Sequence, residues 1–182
     1  LRWCEELLHN LSDEPPTALR TGGIGVRDLK RIAEHLGVDE ACAGFVAELC
    51  YLGGLLVIDP DDQILPTSAF DLWLTKDPEE RWYSLTVLWI ESSRVAGLIG
   101  KTSDKNIAPL GPELDRAGVG LIKQTTLKVL LDNPEVNPEV SSLQAIVKWF
   151  NPQRANNDFI EWNIREAEWL GITGQGALST YG

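Results

Sequence analysis

The sequence predicts a mainly α protein with small β-hairpins. Three observations lead to this fold class. Apolar residues recur at three- and four-residue spacings over several stretches, two short apolar runs flank an Asp-Pro turn, and a motif that ends one helix recurs near the end of the chain. The hydrophobic content of 43% is typical of a globular chain, so we expect a packed core.

Helices are predicted first over residues 1–11, where apolar side chains follow the helical spacing, and then over residues 26–36. The second of these carries its apolar side chains on one face, and Gly37 stands where a left-handed C-terminal cap is expected. Asp39 is a suitable N-cap for a third helix that ends near Leu52. The chain therefore begins with three helices, the last two joined by a tight turn.

A short hairpin follows the third helix. Residues 55–58 and 63–65 are apolar runs of strand length, and Asp59-Pro60-Asp61-Asp62 between them is typical of a turn. Three helices and then a hairpin is the order of a winged helix. The fold class is therefore refined to mainly α with small β-hairpin wings.

Two more helices complete the first module, over residues 67–74 and from Pro78 to about Ser93; Asp77-Pro78 and the glutamates after it are start signals for the second. Residues 95–112 are rich in Gly, Pro, Ser and Lys and predict a linker or a long surface connection. The predicted domains are a winged-helix domain with flanking helices over 1–94, a connection over 95–112, and a second module over 113–182.

The second module is predicted from a short sequence similarity within the chain. Residues 164–171 (IREAEWLG) resemble residues 46–53 (VAELCYLG), since both end an amphipathic helix on Leu-Gly. Helices are expected in part of 114–131, over 140–150 and over 157–170, with residues 172–182 beginning a truncated wing. The whole chain is thus predicted to hold tandem winged-helix-like modules.

Charge argues against a strong grip on nucleic acid. The chain has 16 Lys and Arg against 27 Asp and Glu, for a net charge of −11. Neutralisation of phosphates by Lys and Arg supplies most nonspecific affinity for DNA. The predicted recognition helix, residues 39–52, contains Asp39, Glu40 and Glu48 and no Lys or Arg.

Candidate DNA contacts must therefore come from elsewhere. Arg27, Lys30 and Arg31 share one face of the second helix at i, i+3 and i+4, with Arg20 nearby. Arg154 and Arg165 lie before and on the last helix. The alternative interpretation of the triad is a solvated face that balances Asp28 and Glu34.

Catalytic, metal and cofactor motifs are not predicted. His9 and His35 do not stand at metal-ligand spacing from cysteine or carboxylate, and the sequence contains neither a phosphate-binding Gly-Lys loop nor a nucleophile elbow. The three cysteines are an odd set without CxxC spacing, which favours reduced core thiols and a cytoplasmic location. No apolar run is long enough for a membrane span. The absence of methionine and the start on Leu1 favour a piece of a longer protein.

Several stretches resemble bacterial helicase-associated proteins similar to the N-terminal domain of XPB-type DNA helicases. They are residues 17–31 (TALRTGGIGVRDLKR), 36–38 (LGV), 53–56 (GGLL), 65–74 (LPTSAFDLWL), 80–82 (ERW) and 166–179 (EAEWLGITGQGALS). The resemblance covers most of the chain and is weakest over residues 95–140. It implies a tandem winged-helix region that lacks a helicase motor of its own.

Two functions are expected from this combination. The first is a non-catalytic scaffold or adaptor in DNA transactions, which contacts a helicase or the transcription machinery mainly through protein–protein interactions in the cytoplasm or at the nucleoid. The alternative is a winged-helix protein or transcription regulator that binds duplex DNA directly with weak specificity. Neither function requires a cofactor, a small-molecule substrate or a membrane.

Overall fold

Eight α-helices and three short antiparallel strand pairs form the computed structural model, which describes residues 1–101, 105–134 and 136–180. The helices are α1 (Arg2–Asp13), α2 (Val26–Leu36), α3 (Glu40–Leu52), α4 (Ser68–Leu74), α5 (Pro78–Glu91), α6 (Val119–Leu131), α7 (Val140–Phe150) and α8 (Asn157–Leu170). The strands are β1 (Leu56–Ile58), β2 (Ile64–Pro66), β3 (Gly100–Lys101), β4 (Asn106–Ile107), β5 (Thr173–Gly174) and β6 (Ala177–Leu178). The mainly α class with small antiparallel hairpins is therefore confirmed.

Local start and stop signals explain why the helices have these bounds. The Asp39 carboxylate accepts the backbone N–H of Cys42 at 2.7 Å and so caps α3. Gly37 ends α2 in the left-handed conformation, with φ of 66°, which costs glycine little. The Asn156 side chain caps α8 through the N–H of Phe159 at 2.8 Å. The predicted bounds of α2, α7 and α8 agree with the structure.

The chain folds into two compact units. Unit 1 consists of Leu1–Trp89 and Ala96–Asp115. In it, α3 packs against α1, α2 and β1, while α1 also packs against β2. The hairpin pairs Leu56 with Pro66 and Ile58 with Ile64. Its core includes Leu7, Leu8, Leu11, Ile32, Ala43, Cys50 and Ile64.

Most of the stretch that was predicted as a linker or a long surface connection, residues 95–112, falls inside unit 1. Ala96–Asp115 belongs to unit 1 and buries apolar side chains that lie scattered among glycine, proline and lysine. Ile107, Leu110 and Leu114 are among these buried residues. We call Ala96–Asp115 the return segment. Its composition resembles a linker because only every few residues contribute to the core.

Unit 2 consists of Ile90–Val95 and Arg116–Gly182. The predicted boundaries at 94 and 113 therefore also shift, because residues 90–94 join unit 2 and residues 113–115 stay in unit 1. The Lys123 ammonium helps to hold Ile90–Val95 in unit 2, since it donates to the carbonyl oxygen of Arg94 at 3.2 Å. The buried cluster of unit 2 consists of Ile122, Leu130, Leu143, Val147 and Ile160 from α6, α7 and α8.

A short hairpin with a two-residue turn follows α8 in unit 2. Thr173 pairs with Leu178 and Gly174 with Ala177, and Gln175 and Gly176 both have positive φ in the turn. The sequence predicted a truncated wing from residue 172 to 182, of which Tyr181 and Gly182 lie outside the described residues.

Candidate functional site

The third helix of unit 1, predicted as a recognition helix, is enclosed. All nine residues from Cys42 to Cys50 are buried. The return segment lies against this helix, so closely that a Cβ on Gly44 would stand 2.8 Å from Cδ1 of Ile99. A helix must expose one face to enter the major groove. In this structure α3 offers no such face along those nine residues.

Two polar contacts hold the return segment in place. The buried carboxylate of Glu48, 2% exposed, accepts the backbone N–H of Leu110 at 2.5 Å. The N–H of Ile24 donates to the carbonyl oxygen of Pro109 at 2.9 Å. A Cβ on Gly23 would lie 2.3 Å from that same oxygen, so only glycine fits at this position, where φ is +90°.

The cations of α2 share their face with carboxylates. The Arg31 guanidinium donates to the side chains of Glu14 and Asp28, and the Lys30 ammonium lies 4.0 Å from Glu34. Arg27 is exposed and makes no ion pair in the part of the chain that the structure describes. Two of the three cations are thus paired with three carboxylates, which weakens the attraction of this surface for a phosphate backbone.

The other three predicted DNA contacts are dispersed. Arg20 is exposed in the turn before α2, in unit 1. Arg154 belongs to unit 2, where its Cδ lies so close to Gly118 that a Cβ there would approach it to 2.8 Å. Arg165 of α8 lies 3.7 Å from the Glu161 carboxylate. Of these two arginines in unit 2, Arg154 packs against the backbone at Gly118 and Arg165 pairs with Glu161.

Unit 2 carries a groove that the sequence did not predict. It has a volume of about 430 Å³ and lies between α6 and the end of α7. Its lining consists of Leu121, Gln124, Thr125, Lys128, Val129, Asp132, Phe150 and Asn151. Apolar atoms contribute most of its surface. The only two charged side chains in the lining, Lys128 and Asp132, pair with each other at 3.3 Å.

Two large aromatic side chains at the end of α7 are exposed. Phe150, which lines the groove, is 65% exposed, and the adjacent Trp149 is 83% exposed. Leu121 on α6 and Ile146 on α7 are exposed as well. The sequence predicted the helix over 140–150 but gave no signal that its last two side chains are exposed.

The thiols of unit 1 are buried in its core. Burial, followed by the nearby Asp39 carboxylate, raises the pKa of Cys42 to about 12. The Cys50 thiol donates a hydrogen bond to the Cys4 sulfur, which raises the pKa of Cys50 and lowers that of Cys4. All three cysteines are free thiols, as the sequence predicted. A buried, protonated thiol is a poor nucleophile and a poor metal ligand.

Among residues 1–101, 105–134 and 136–180, His, Cys, Asp and Glu side chains form no group of three or more that could hold a metal ion. In the same ranges, no helix combines the length and the apolar character needed to cross a bilayer. The chain matches no protein-family model, no curated protein and no solved structure.

Proposed function

We propose that this chain is a non-catalytic, helicase-associated scaffold or adaptor that acts in DNA transactions mainly through protein–protein contacts. The observation that carries the proposal is the enclosure of α3 by the return segment. A winged helix that reads DNA uses its third helix, whereas here that helix is buried from Cys42 to Cys50 and contributes a carboxylate, Glu48, to an internal contact.

The finer architecture belongs to the same proposal. Unit 1 has the order α1, α2, α3 and hairpin, and unit 2 has the order α6, α7, α8 and hairpin. In both units the first helix packs against the third. This repeated order supports tandem winged-helix-like modules, and with them the resemblance to the N-terminal domain of XPB-type helicases. A cytoplasmic or nucleoid-associated location is part of the same proposal.

The third helix of unit 2 also favours protein contacts over DNA binding. Its exposed charged residues are Asp158, Glu161, Arg165 and Glu168. The single arginine among them pairs with Glu161 at 3.7 Å. This surface would meet a phosphate backbone with like charge. Neither unit therefore presents a basic third helix, and protein contact remains the better-supported mode of action.

Direct, weakly specific binding of duplex DNA is the second candidate. It is favoured by Arg20 and Arg27, which are exposed close to each other in sequence in unit 1. Contacts from so few arginines reach phosphates rather than base edges, and such contacts position a protein without reading sequence.

A salt series with duplex DNA distinguishes the two candidates. We expect the full chain to show no binding tighter than about 10⁻⁴ M in fluorescence anisotropy at about 150 mM salt, the weak end of nonspecific affinity. Tight binding with a steep salt dependence would contradict the adaptor. In that case alanine at Arg27, Lys30 and Arg31 should reduce the log-log salt slope by about three at most, roughly 0.9 for each lost contact. Arg2→Ala, an exposed change on α1, serves as the matched control.

A further inference from the structure

The side of α5 that faces solvent brings an aromatic ring together with two carboxylates. Glu79 and Glu80 precede Tyr83 by four and three residues, so the three side chains are neighbours on one surface of the helix. All three residues are exposed, and Tyr83 is 65% exposed. The residues that α5 buries, Leu85 and Trp89 among them, lie on the other side. We call Glu79, Glu80 and Tyr83 the outer face of α5.

The carboxylates of this face outnumber the cations that neutralise them. The Lys76 ammonium lies 3.0 Å from the Glu80 carboxylate. Within the described ranges, neither Glu79 nor Asp77, which precedes the helix, makes an ion pair, and the Tyr83 side chain makes no hydrogen bond or ring contact. The helix dipole favours acidic residues in a first turn. It gives no reason for an exposed aromatic ring beside them.

Unit 1 already contains an example of what such a pair of groups binds. The Arg81 guanidinium lies 5.0 Å from the centroid of the Trp73 ring and also pairs with the Glu5 carboxylate. An aromatic ring and a carboxylate thus hold one cation together, and only 13% of the Arg81 side chain is exposed. The outer face of α5 offers the same two groups. Among the residues that the structure describes, no cation is stacked on its tyrosine.

Charge indicates which partner this face attracts. Unit 1 has nine Lys and Arg against nineteen Asp and Glu. A phosphate backbone is repelled by such a unit, and two copies of a chain with net charge −11 repel each other. A protein segment rich in arginine is attracted by unit 1 as a whole and, at short range, by Asp77, Glu79 and Glu80.

We propose that the outer face of α5 binds a basic segment of a partner protein, with an arginine stacked on the Tyr83 ring and paired with Glu79. Arginine is the cation most often found on aromatic rings, and both arginine and tyrosine are enriched at protein interfaces. This inference rests on the proposed adaptor function and names a surface through which it acts. Binding does not require the return segment to move, because this side of α5 is exposed in the folded chain.

A fluorescein-labelled peptide in which arginine alternates with glycine and serine tests the proposal on the full chain by anisotropy. Tyr83→Ala should weaken binding about two- to fivefold, the range for a cation–π contact at an exposed site. Tyr83→Phe keeps the ring and should leave the affinity unchanged. Trp149→Ala removes a ring that is 83% exposed in unit 2 and should also leave it unchanged.

The role of Glu79 is tested against a substitution of equal charge. Glu79→Gln should weaken peptide binding about two- to fivefold, as expected for the loss of an ion pair at the surface. Asp61→Asn removes the same charge from the exposed turn between β1 and β2. It should weaken binding by less than about 1.5-fold, because salt screens a charge that the peptide does not contact.

Equal losses with Glu79→Gln and Asp61→Asn would overturn the proposal, because the peptide would then respond to net charge alone. So would the absence of peptide binding, or a loss with Trp149→Ala as large as that with Tyr83→Ala. Dimerisation of the wild-type chain that Tyr83→Ala abolishes would overturn it as well, since the occupant would be a second copy.

The proposed function and this inference fail separately. Binding of an XPB-type helicase that Tyr83→Ala and Glu79→Gln leave unchanged would remove this surface and keep the adaptor function. Peptide binding that depends on Tyr83, together with tight, salt-dependent binding of duplex DNA, would keep the surface and remove the adaptor function as the main role.

Discussion

Unit 1 and unit 2 share an order of three helices and a hairpin, but the third helix is enclosed in unit 1 and partly exposed in unit 2. In unit 1 the return segment covers α3, and Glu48 is satisfied by a backbone N–H from that segment. In unit 2, α8 keeps Asp158, Glu161, Arg165 and Glu168 exposed. Both helices nevertheless bury a glutamate four residues before the terminal Leu, Glu48 in α3 and Glu166 in α8, each 2% exposed.

The second helices also differ at their ends, since Leu36 of α2 is buried whereas Phe150 of α7 is mostly exposed. The order of helices and hairpin therefore does not by itself determine which helix is exposed to solvent. A twenty-residue segment from outside the repeated order is enough to turn a surface helix into a core helix.

The largest expected effect comes from comparing one tryptophan in each unit. Trp73 in unit 1 is 5% exposed and packs against Phe70 and the Arg81 guanidinium. Trp73→Ala should lower the free energy of unfolding by about 3–5 kcal/mol through a core cavity. Trp149→Ala in unit 2 should change it by less than about 0.5 kcal/mol, because that side chain is mostly solvent-exposed. Urea unfolding of both variants is the measurement, and similar losses would contradict the burial of Trp73 and the exposure of Trp149.

The next effect tests the return segment through two glycines. Gly23→Ala forces a Cβ to 2.3 Å from the carbonyl oxygen of Pro109 at a φ of +90°, so unit 1 should lose about 3 kcal/mol. Gly174→Ala in unit 2 meets no atom within 4 Å and should be nearly neutral. Hydrogen exchange should show lost protection across 96–115 in the first variant only. Unchanged protection of that segment would mean that it is not held at Gly23.

A somewhat smaller effect is expected from the buried carboxylate itself. Glu48→Ala leaves the N–H of Leu110 without its acceptor and should cost about 2 kcal/mol of unfolding free energy. Glu40→Ala changes an exposed residue of the same helix and should cost at most about 0.5 kcal/mol. Equal costs for the two variants, measured by thermal unfolding, would show that the contact with the return segment contributes nothing specific.

The smallest effect on the free energy of unfolding at neutral pH is expected for Cys42. Its folded pKa of about 12 lies above the ordinary thiol value, so the thiol stays protonated in the fold and ionises first in the unfolded chain. Stability from this group is complete below about pH 8.5 and is lost as pH rises toward the folded pKa. Cys42→Ala should remove up to about 1.4 kcal/mol per pH unit from the alkaline slope of unfolding free energy. An unchanged slope would contradict burial of the thiol.

The helices and the first hairpin could be predicted because their signals are local. Asp39 caps the helix that it precedes, Gly37 ends the one before it, and Asp59 accepts the backbone N–H groups of Asp61 and Gln63 inside its own turn. Each of these contacts spans four residues or fewer, so the order of residues was sufficient.

The site could be predicted only in part, because its decisive contacts are distant in sequence. Arg27, Lys30 and Arg31 were correctly placed on one helix, but Glu14, which pairs with Arg31, lies 17 residues away. Glu48 and Leu110 are separated by 62 residues. The groove was missed for a similar reason. Its lining combines side chains of α6 with Phe150 and Asn151 at the end of α7, and no local signal indicates that these helices pack together there.

The proposed function requires that the chain contacts a protein partner and does not bind duplex DNA through unit 1. Calorimetric titration of the full chain with the motor domain of an XPB-type helicase tests it most directly. We expect binding that alanine at Arg27, Lys30 and Arg31 leaves unchanged, because those side chains are candidates for phosphate contacts only. Loss of helicase binding in the triple variant would contradict the account, and so would the absence of any binding to the helicase by a chain that binds duplex DNA.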